Sequence, residues 1–218
     1  MGNVTGAQRK HVVDDADPTT WHLERVEAIR TRYLAGNYDF GVEKEQLREI
    51  VQPVLLDEGC DTLDLVLWPR FAEYNSGSEA NMLEVLGGLA VISRGTFEAK
   101  VEFAFRVFDF NDQGSLSHDE VCVMLLTMLS GTVLVTRRGN LPEDADLETH
   151  ADHAFLRCGK DLTMRVDFVD LMTWFRSHIK ELCEDRGFAL CDSPEAFLRC
   201  FDLVGASMLK KKSKGDRW

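Results

Sequence analysis

Basic charge is scarce in this 218-residue chain: 25 lysines and arginines face 37 aspartates and glutamates, a formal net charge of −12. With no surplus of cations, the surface as a whole has little attraction for a phosphate backbone, which excludes nucleic acid as the principal partner. Long apolar runs are missing too. Stretches such as 85–92 fall short of the roughly 20 residues a bilayer demands, and no apolar segment follows the start Met1-Gly2-Asn3-Val4-Thr5-Gly6. The expectation is a soluble, cytoplasmic protein. Six cysteines occur (60, 122, 158, 183, 191, 200), with no Cys-x-x-Cys pair among them and no secretory signal. They read as reduced thiols that mostly pack, rather than as a disulfide framework or a zinc site. A glycine loop to cradle phosphate, a nucleophile elbow and a paired zinc-histidine motif are all lacking, so no enzyme is expected. What is present suffices for a core. Apolar residues make up 44% and charged residues 28%, which excludes global disorder and suits one large domain or two small lobes.

Helical periodicity runs through nearly the whole chain, and the expected fold class is all-α. Leu23, Val26, Ile29 and Tyr33 form one stripe, closed by Gly36. Leu47, Ile50 and Val51 form a second that stops at Pro53. Leu63, Val66, Leu67 and Phe71 form a third, kinked or shortened by Pro69. Helices are then predicted over 82–92, over 97–108 behind a Thr96 cap, and over about 118–129. After a polar break at 131–148 comes a helix carrying Leu147, Ala151, Ala154 and Phe155. Phe168, Leu171, Met172, Phe175 and Ile179 make the next stripe, and Ser193-Pro194-Glu195 opens a last helix over 196–209. The basic tail 210–218 reads as a solvated end.

Between two of these helices lies Asp109-Phe110-Asn111-Asp112-Gln113-Gly114-Ser115-Leu116-Ser117-His118-Asp119-Glu120, with oxygen-bearing side chains at alternate positions. This is the pattern of a twelve-residue calcium loop. Calcium takes six to eight hard oxygen ligands, and Asp109, Asn111 and Gln113 converge on one point only if the sixth residue turns sharply, as Gly114 permits. Ser115 offers its backbone carbonyl, Ser117 binds through a water, and Glu120 closes the sphere with both carboxylate oxygens. Leu116 is placed to make a short β contact with a neighbouring loop. Only Asp109 and Glu120 bring charge to ligand positions, and Gln113 is longer than the usual fifth residue. Affinity on the order of 10⁻⁵ M or weaker follows. His150, Asp152 and His153 fall within one helical turn but have no third and fourth ligand in view, and they read as a solvated face.

With this loop in place, Leu89-Ala90-Val91-Ile92-Ser93-Arg94-Gly95-Thr96-Phe97-Glu98-Ala99-Lys100 and the following Phe103-Ala104-Phe105-Arg106-Val107-Phe108-Asp109 resemble the linker and third hand of the EF-hand superfamily. The likeness is to the four-hand proteins of the calcineurin B, neuronal calcium sensor and calaxin kind. It implies an N-terminal extension over 1–20, a lobe of paired hands over 21–95, a second over 96–182, and a C-terminal helix with basic tail over 183–218. Carried over by position, the other loops fall at 35–46, 73–84 and 159–170. The first has Ala35, Phe40 and Gln46 where carboxylate, glycine and glutamate belong. The second keeps Asn75, Asn81 and Glu84 but has Ala80 at its eighth place. The fourth keeps Asp161, Thr163 and Asp167 but has Gly159, Met164 and Asp170 at its first, sixth and twelfth. At most one calcium is expected, at Asp109, Asn111, Gln113, Ser115, Ser117 and Glu120.

The resemblance implies a calcium-binding adaptor or regulatory subunit. Filling 109–120 would expose a groove lined by Met124, Leu125, Met128 and Met172 that captures a helix of a protein partner. Apolar stripes at helical spacing are, however, also what core residues look like. The alternative is a calcium-independent structural component of a larger assembly. Likeness to calaxin implies a ciliary or flagellar axoneme, where the basic tail would meet an acidic filament such as a microtubule. A third reading anchors Gly2 and the lysine tail to a membrane. Gly6 stands where a myristoylation signal has Ser or Thr, so a membrane partner is not expected.

Overall fold

The computed structural model describes residues 18–55, 63–72, 77–186 and 197. The helix expected over 196–209 (Phe197 apart), the tail 210–218, Gly2, Cys60, Cys191 and Cys200 therefore lie outside the described residues. Among those described, helices dominate, joined by two-residue strands. In chain order they are α1 (Leu23–Gly36), β1 (Gly41–Val42), α2 (Lys44–Leu55), a π-helical turn at Leu63–Leu67, α3 (Trp68–Phe71), β2 (Ala80–Asn81) and α4 (Met82–Ile92). The second half holds α5 (Phe97–Phe108), β3 (Ser115–Leu116), α6 (His118–Thr136), α7 (Asp144–Arg157), β4 (Val166–Asp167) and α8 (Phe168–Arg186). The all-α expectation holds.

Local chemistry sets most of the boundaries. Gly36 is the last residue of α1, and Asn37 takes the left-handed cap at φ 50° that its short polar side chain tolerates. Thr96 Oγ1 accepts from the Ala99 N–H at the start of α5. Asn81 Oδ1 accepts from the Leu83 N–H at the start of α4. Pro53 does not stop α2, which runs on to Leu55. Proline there removes one backbone donor, and Val51 and Leu55, both buried, hold the turn around it. Pro69 acts as expected of a shortening residue, because the chain is wound as a π turn before it and as a single α turn after it.

The largest departure concerns α6, which reaches Thr136 instead of stopping near Leu129. Gly131, expected to begin the polar break, is inside the helix. Arg137, left-handed at φ 53°, ends it, and the true break lies between α6 and Asp144. With 19 residues and a mean hydropathy of 1.6, α6 is also long and apolar enough to cross a bilayer, against the expectation that no stretch is; 67% of it is buried inside the protein. It is apolar on all sides because α4 and α7 both pack on it.

That packing is unusually close where α4 crosses α6. A Cβ added to Gly88 would sit 2.4 Å from the carbonyl of Gly131, and one added to Gly131 would sit 2.0 Å from the carbonyl oxygen of Glu84. Every residue of α4 is buried. The core continues outward through Trp21, Phe71, Phe103, Phe108, Phe155, Trp174 and Phe175. Burying each such ring fully is worth about 1.5–3 kcal/mol before entropy is counted.

Candidate metal centre

The two strand pairs place four loops. β1 pairs with β2 in antiparallel register, Val42 opposite Ala80, and β3 pairs with β4, Leu116 opposite Val166. These four are the eighth residues of 35–46, 73–84, 109–120 and 159–170. The sequence anticipated a β contact of Leu116 with a neighbouring loop, and Val166 is the residue that makes it.

The loop 109–120 is built between α5 and α6. Asp109 caps the end of α5, its N–H donating to the Phe105 carbonyl. Its carboxylate then organises the turn: Oδ1 accepts from the Gln113 N–H at 2.9 Å and Oδ2 from the Gly114 N–H at 2.7 Å. Gly114 turns at φ 70°, in the left-handed region that a side chain would resist. Asn111 and Gln113 are exposed, and Ser115 is half-buried in β3. Ser117 begins α6 with a capping box: its Oγ accepts from the Glu120 N–H, and Glu120 Oε2 accepts from the Ser117 N–H at 2.7 Å. Glu120 is thereby aimed back at the loop from the first turn of the helix, although it is buried.

Among the described residues, no group of three or more His, Cys, Asp or Glu converges as a metal site. An ion in this loop has to draw on amide, hydroxyl and carbonyl oxygens beside Asp109 and Glu120. That is a hard-oxygen set, which fits calcium and not zinc.

Two cations contact these loops that the sequence did not flag. Arg165 donates from Nη2 to the Ser115 carbonyl and, at 2.8 Å, to Glu120 Oε2, and from Nε to Ser115 Oγ at 2.9 Å. Lys160 Nζ donates to the Arg165 carbonyl at 2.8 Å and pairs with Asp170 Oδ2. The hydrogen bond to Asp170 holds the Lys160 ammonium above its ordinary pKa. The only hint in the sequence is that both stand inside 159–170. Its remaining polar groups are turned on one another: Asp161 Oδ1 accepts from the Thr163 N–H at 2.9 Å, and Asp167 Oδ1 from the Asp170 N–H at 2.9 Å. In 35–46, Gln46 Oε1 likewise caps, accepting from the Glu43 N–H.

The histidine group on α7 is not a solvated face. Asp152 Oδ1 lies 2.8 Å from His118 Nε2 on α6, His153 Nδ1 accepts from Trp174 Nε1 at 3.0 Å, and His150 packs edge-on against His178. The helical turn that carries them is wedged between α6 and α8, which a single sequence does not reveal. Cys122 and Cys158 are free thiols. Burial, with Asp119, Glu148 and Asp152 nearby, pushes the Cys122 thiol up to about 11. At pH 8 Cys122 is then about 0.1% thiolate, so its alkylation, followed by peptide mass spectrometry, is expected to run on the order of 100-fold slower than in the denatured chain.

The proposed groove residues are core in this structure: Met124 and Leu125 are 0% exposed, Met128 3% and Met172 7%. Phe197, from beyond α8, is buried beside Val91, Phe97, Val101, Met128 and Phe175 at a small apolar cleft.

No family model matches the chain. It is similar to the calcium-binding protein NCSA of Dictyostelium discoideum, 29% identical over 150 residues, which is 67% of this chain and 78% of that one. The calcineurin B subunit of Yarrowia lipolytica is 24% identical over 162 residues, 74% of this chain and 86% of its own. Human calaxin is 33% identical over 70 residues, 31% of this chain and 33% of calaxin. Helix-loop-helix units joined in pairs through the eighth residues of their loops, together with these relatives, make the chain similar to EF-hand proteins of the calcineurin B, neuronal calcium sensor and calaxin kind.

Proposed function

We propose that the chain is a non-enzymatic, calcium-binding adaptor or regulatory subunit that holds one calcium in 109–120 and binds a helical segment of a protein partner. The ligands are Asp109, Asn111, Gln113, the Ser115 carbonyl, Ser117 through a water, and Glu120. The observation that carries this reading is the folded turn itself: Asp109 gathers the Gln113 and Gly114 amides while the capping box aims Glu120 back at the same loop. Relatives named as a calcium-binding protein and as a calcineurin subunit support it. The working units are two lobes, 21–95 and 96–182, and the setting is the cytoplasm. Because Met124, Leu125, Met128 and Met172 are buried here, capture of a helix requires α6 to part from its neighbours.

A second reading, a calcium-independent component of a larger assembly such as the ciliary or flagellar axoneme, is favoured by that same burial. The axonemal setting itself rests on the calaxin likeness alone.

The deciding experiment is a calorimetric calcium titration with millimolar magnesium present, alongside an apolar fluorescent dye. One site with a dissociation constant on the order of 10⁻⁵ M, and dye fluorescence that rises as it fills, is the expected result. Absence of both signals would reject calcium gating and leave the structural reading.

A further inference from the structure

The cation held against 109–120 suggests a role for Arg165 beyond packing. We infer that Arg165 is a tethered cation that competes with calcium for this loop and lowers its affinity. The inference rests on the calcium reading above and adds how that site is regulated.

The register of β3 and β4, with Ser115 opposite Asp167 and Leu116 opposite Val166, carries Arg165 to the place opposite Ser117. From there its guanidinium reaches back across the loop. It engages the Ser115 carbonyl and the Glu120 carboxylate, the seventh and twelfth positions of 109–120. Those are two of the groups that calcium needs, and the twelfth is the one it grips with both oxygens. Glu120 Oε2 already accepts two hydrogen bonds, from the Ser117 N–H at 2.7 Å and from Arg165 Nη2 at 2.8 Å. A carboxylate oxygen has two lone-pair sites, so both on Oε2 are taken. Two-oxygen closure on a metal requires one of these donors to leave, and the guanidinium is the one whose positive charge opposes an incoming cation.

The neighbouring loop repeats the arrangement. Lys160 Nζ bonds the carbonyl of Arg165 and the carboxylate of Asp170, the seventh and twelfth positions of 159–170. In both loops of this pair, then, a side-chain cation from 159–170 contacts the same two kinds of oxygen. In 159–170 Gly159 stands where the first carboxylate would be, and Lys160 meets no rival of comparable charge. In 109–120 Asp109 is present, and the loop has a choice between an internal cation and an external one.

The competition is settled by displacement of the guanidinium from the loop. Measured affinity is then the intrinsic affinity multiplied by the fraction of molecules with the guanidinium swung out. If about one molecule in ten has it out, removing the charge should tighten binding about tenfold.

The test is calcium chloride titrated by calorimetry into the full chain, Arg165→Gln, Arg165→Lys and Ser115→Ala, with thermal midpoints read with and without calcium. Arg165→Gln is expected to bind about tenfold more tightly, to melt lower than the parent without calcium, and to gain more from calcium. Arg165→Lys should fall between the two. Ser115→Ala removes only the Oγ that holds Nε and should tighten binding by a smaller factor, which decides the matter if Arg165→Gln fails to fold. Equal or weaker calcium binding in a folded Arg165→Gln overturns the competition while leaving the calcium site standing. No heat from any of the proteins overturns both.

Discussion

Gly131→Val is expected to destabilise the fold by about 3 kcal/mol, because it forces a side chain into a contact between two backbones. A Cβ at this position would lie 2.0 Å from the carbonyl oxygen of Glu84 and 2.7 Å from the amide nitrogen of Gly88. Neither atom can rotate away, so α4 and α6 have to move apart along a crossing at which every residue of α4 is buried. The sign is diagnostic. Gly131 lies within α6, where alanine normally gains about 1 kcal/mol over glycine by helix propensity. Gly131→Ala should nonetheless lose stability, and Gly131→Val should lose more. For a chain of this length about 3 kcal/mol corresponds to a thermal midpoint lower by about 6–12 °C. Circular dichroism melts check this directly, and a Gly131→Ala protein that melts higher than the parent would show that the helices do not cross so closely.

Glu120→Gln is expected to weaken calcium binding by a factor on the order of 100, since it removes one of only two charges at ligand positions. The substitution is mild for the fold. Glutamine keeps an oxygen to accept from the Ser117 N–H, so the start of α6 stays capped, while Arg165 loses its ion partner. The apo midpoint should therefore fall only slightly, while the calcium heat disappears at concentrations that fill the parent. A variant that binds calcium as tightly as the parent would place the ion elsewhere in the molecule.

Helix ends were legible where a local cap sets them, although the local signal of Pro53 misplaced the end of α2. Thr96 before Phe97 and Gly36 after Tyr33 marked ends that the structure keeps, because a cap acts on the few residues beside it. The reach of α6 was not legible in the same way. Gly131 resembles a breaker in one dimension, and only the approach of Gly88 from α4 reveals it as the residue that permits close packing. The calcium-loop pattern was readable because its oxygens are spaced along twelve consecutive residues. Arg165 and Lys160 were not, since what they do depends on reaching oxygens in a partner strand or across a turn.

The sequence by itself therefore determined the all-α class, most helix boundaries and the loop 109–120, all of which follow from periodicity, capping and spacing within short segments. Tertiary structure alone decided that Met124, Leu125, Met128 and Met172 are core, that α4 and α6 cross backbone to backbone, and that a guanidinium rests on Glu120. These outcomes join residues up to tens of positions apart, and an apolar stripe or a lone arginine has the same appearance in a sequence whichever neighbour the fold brings to it.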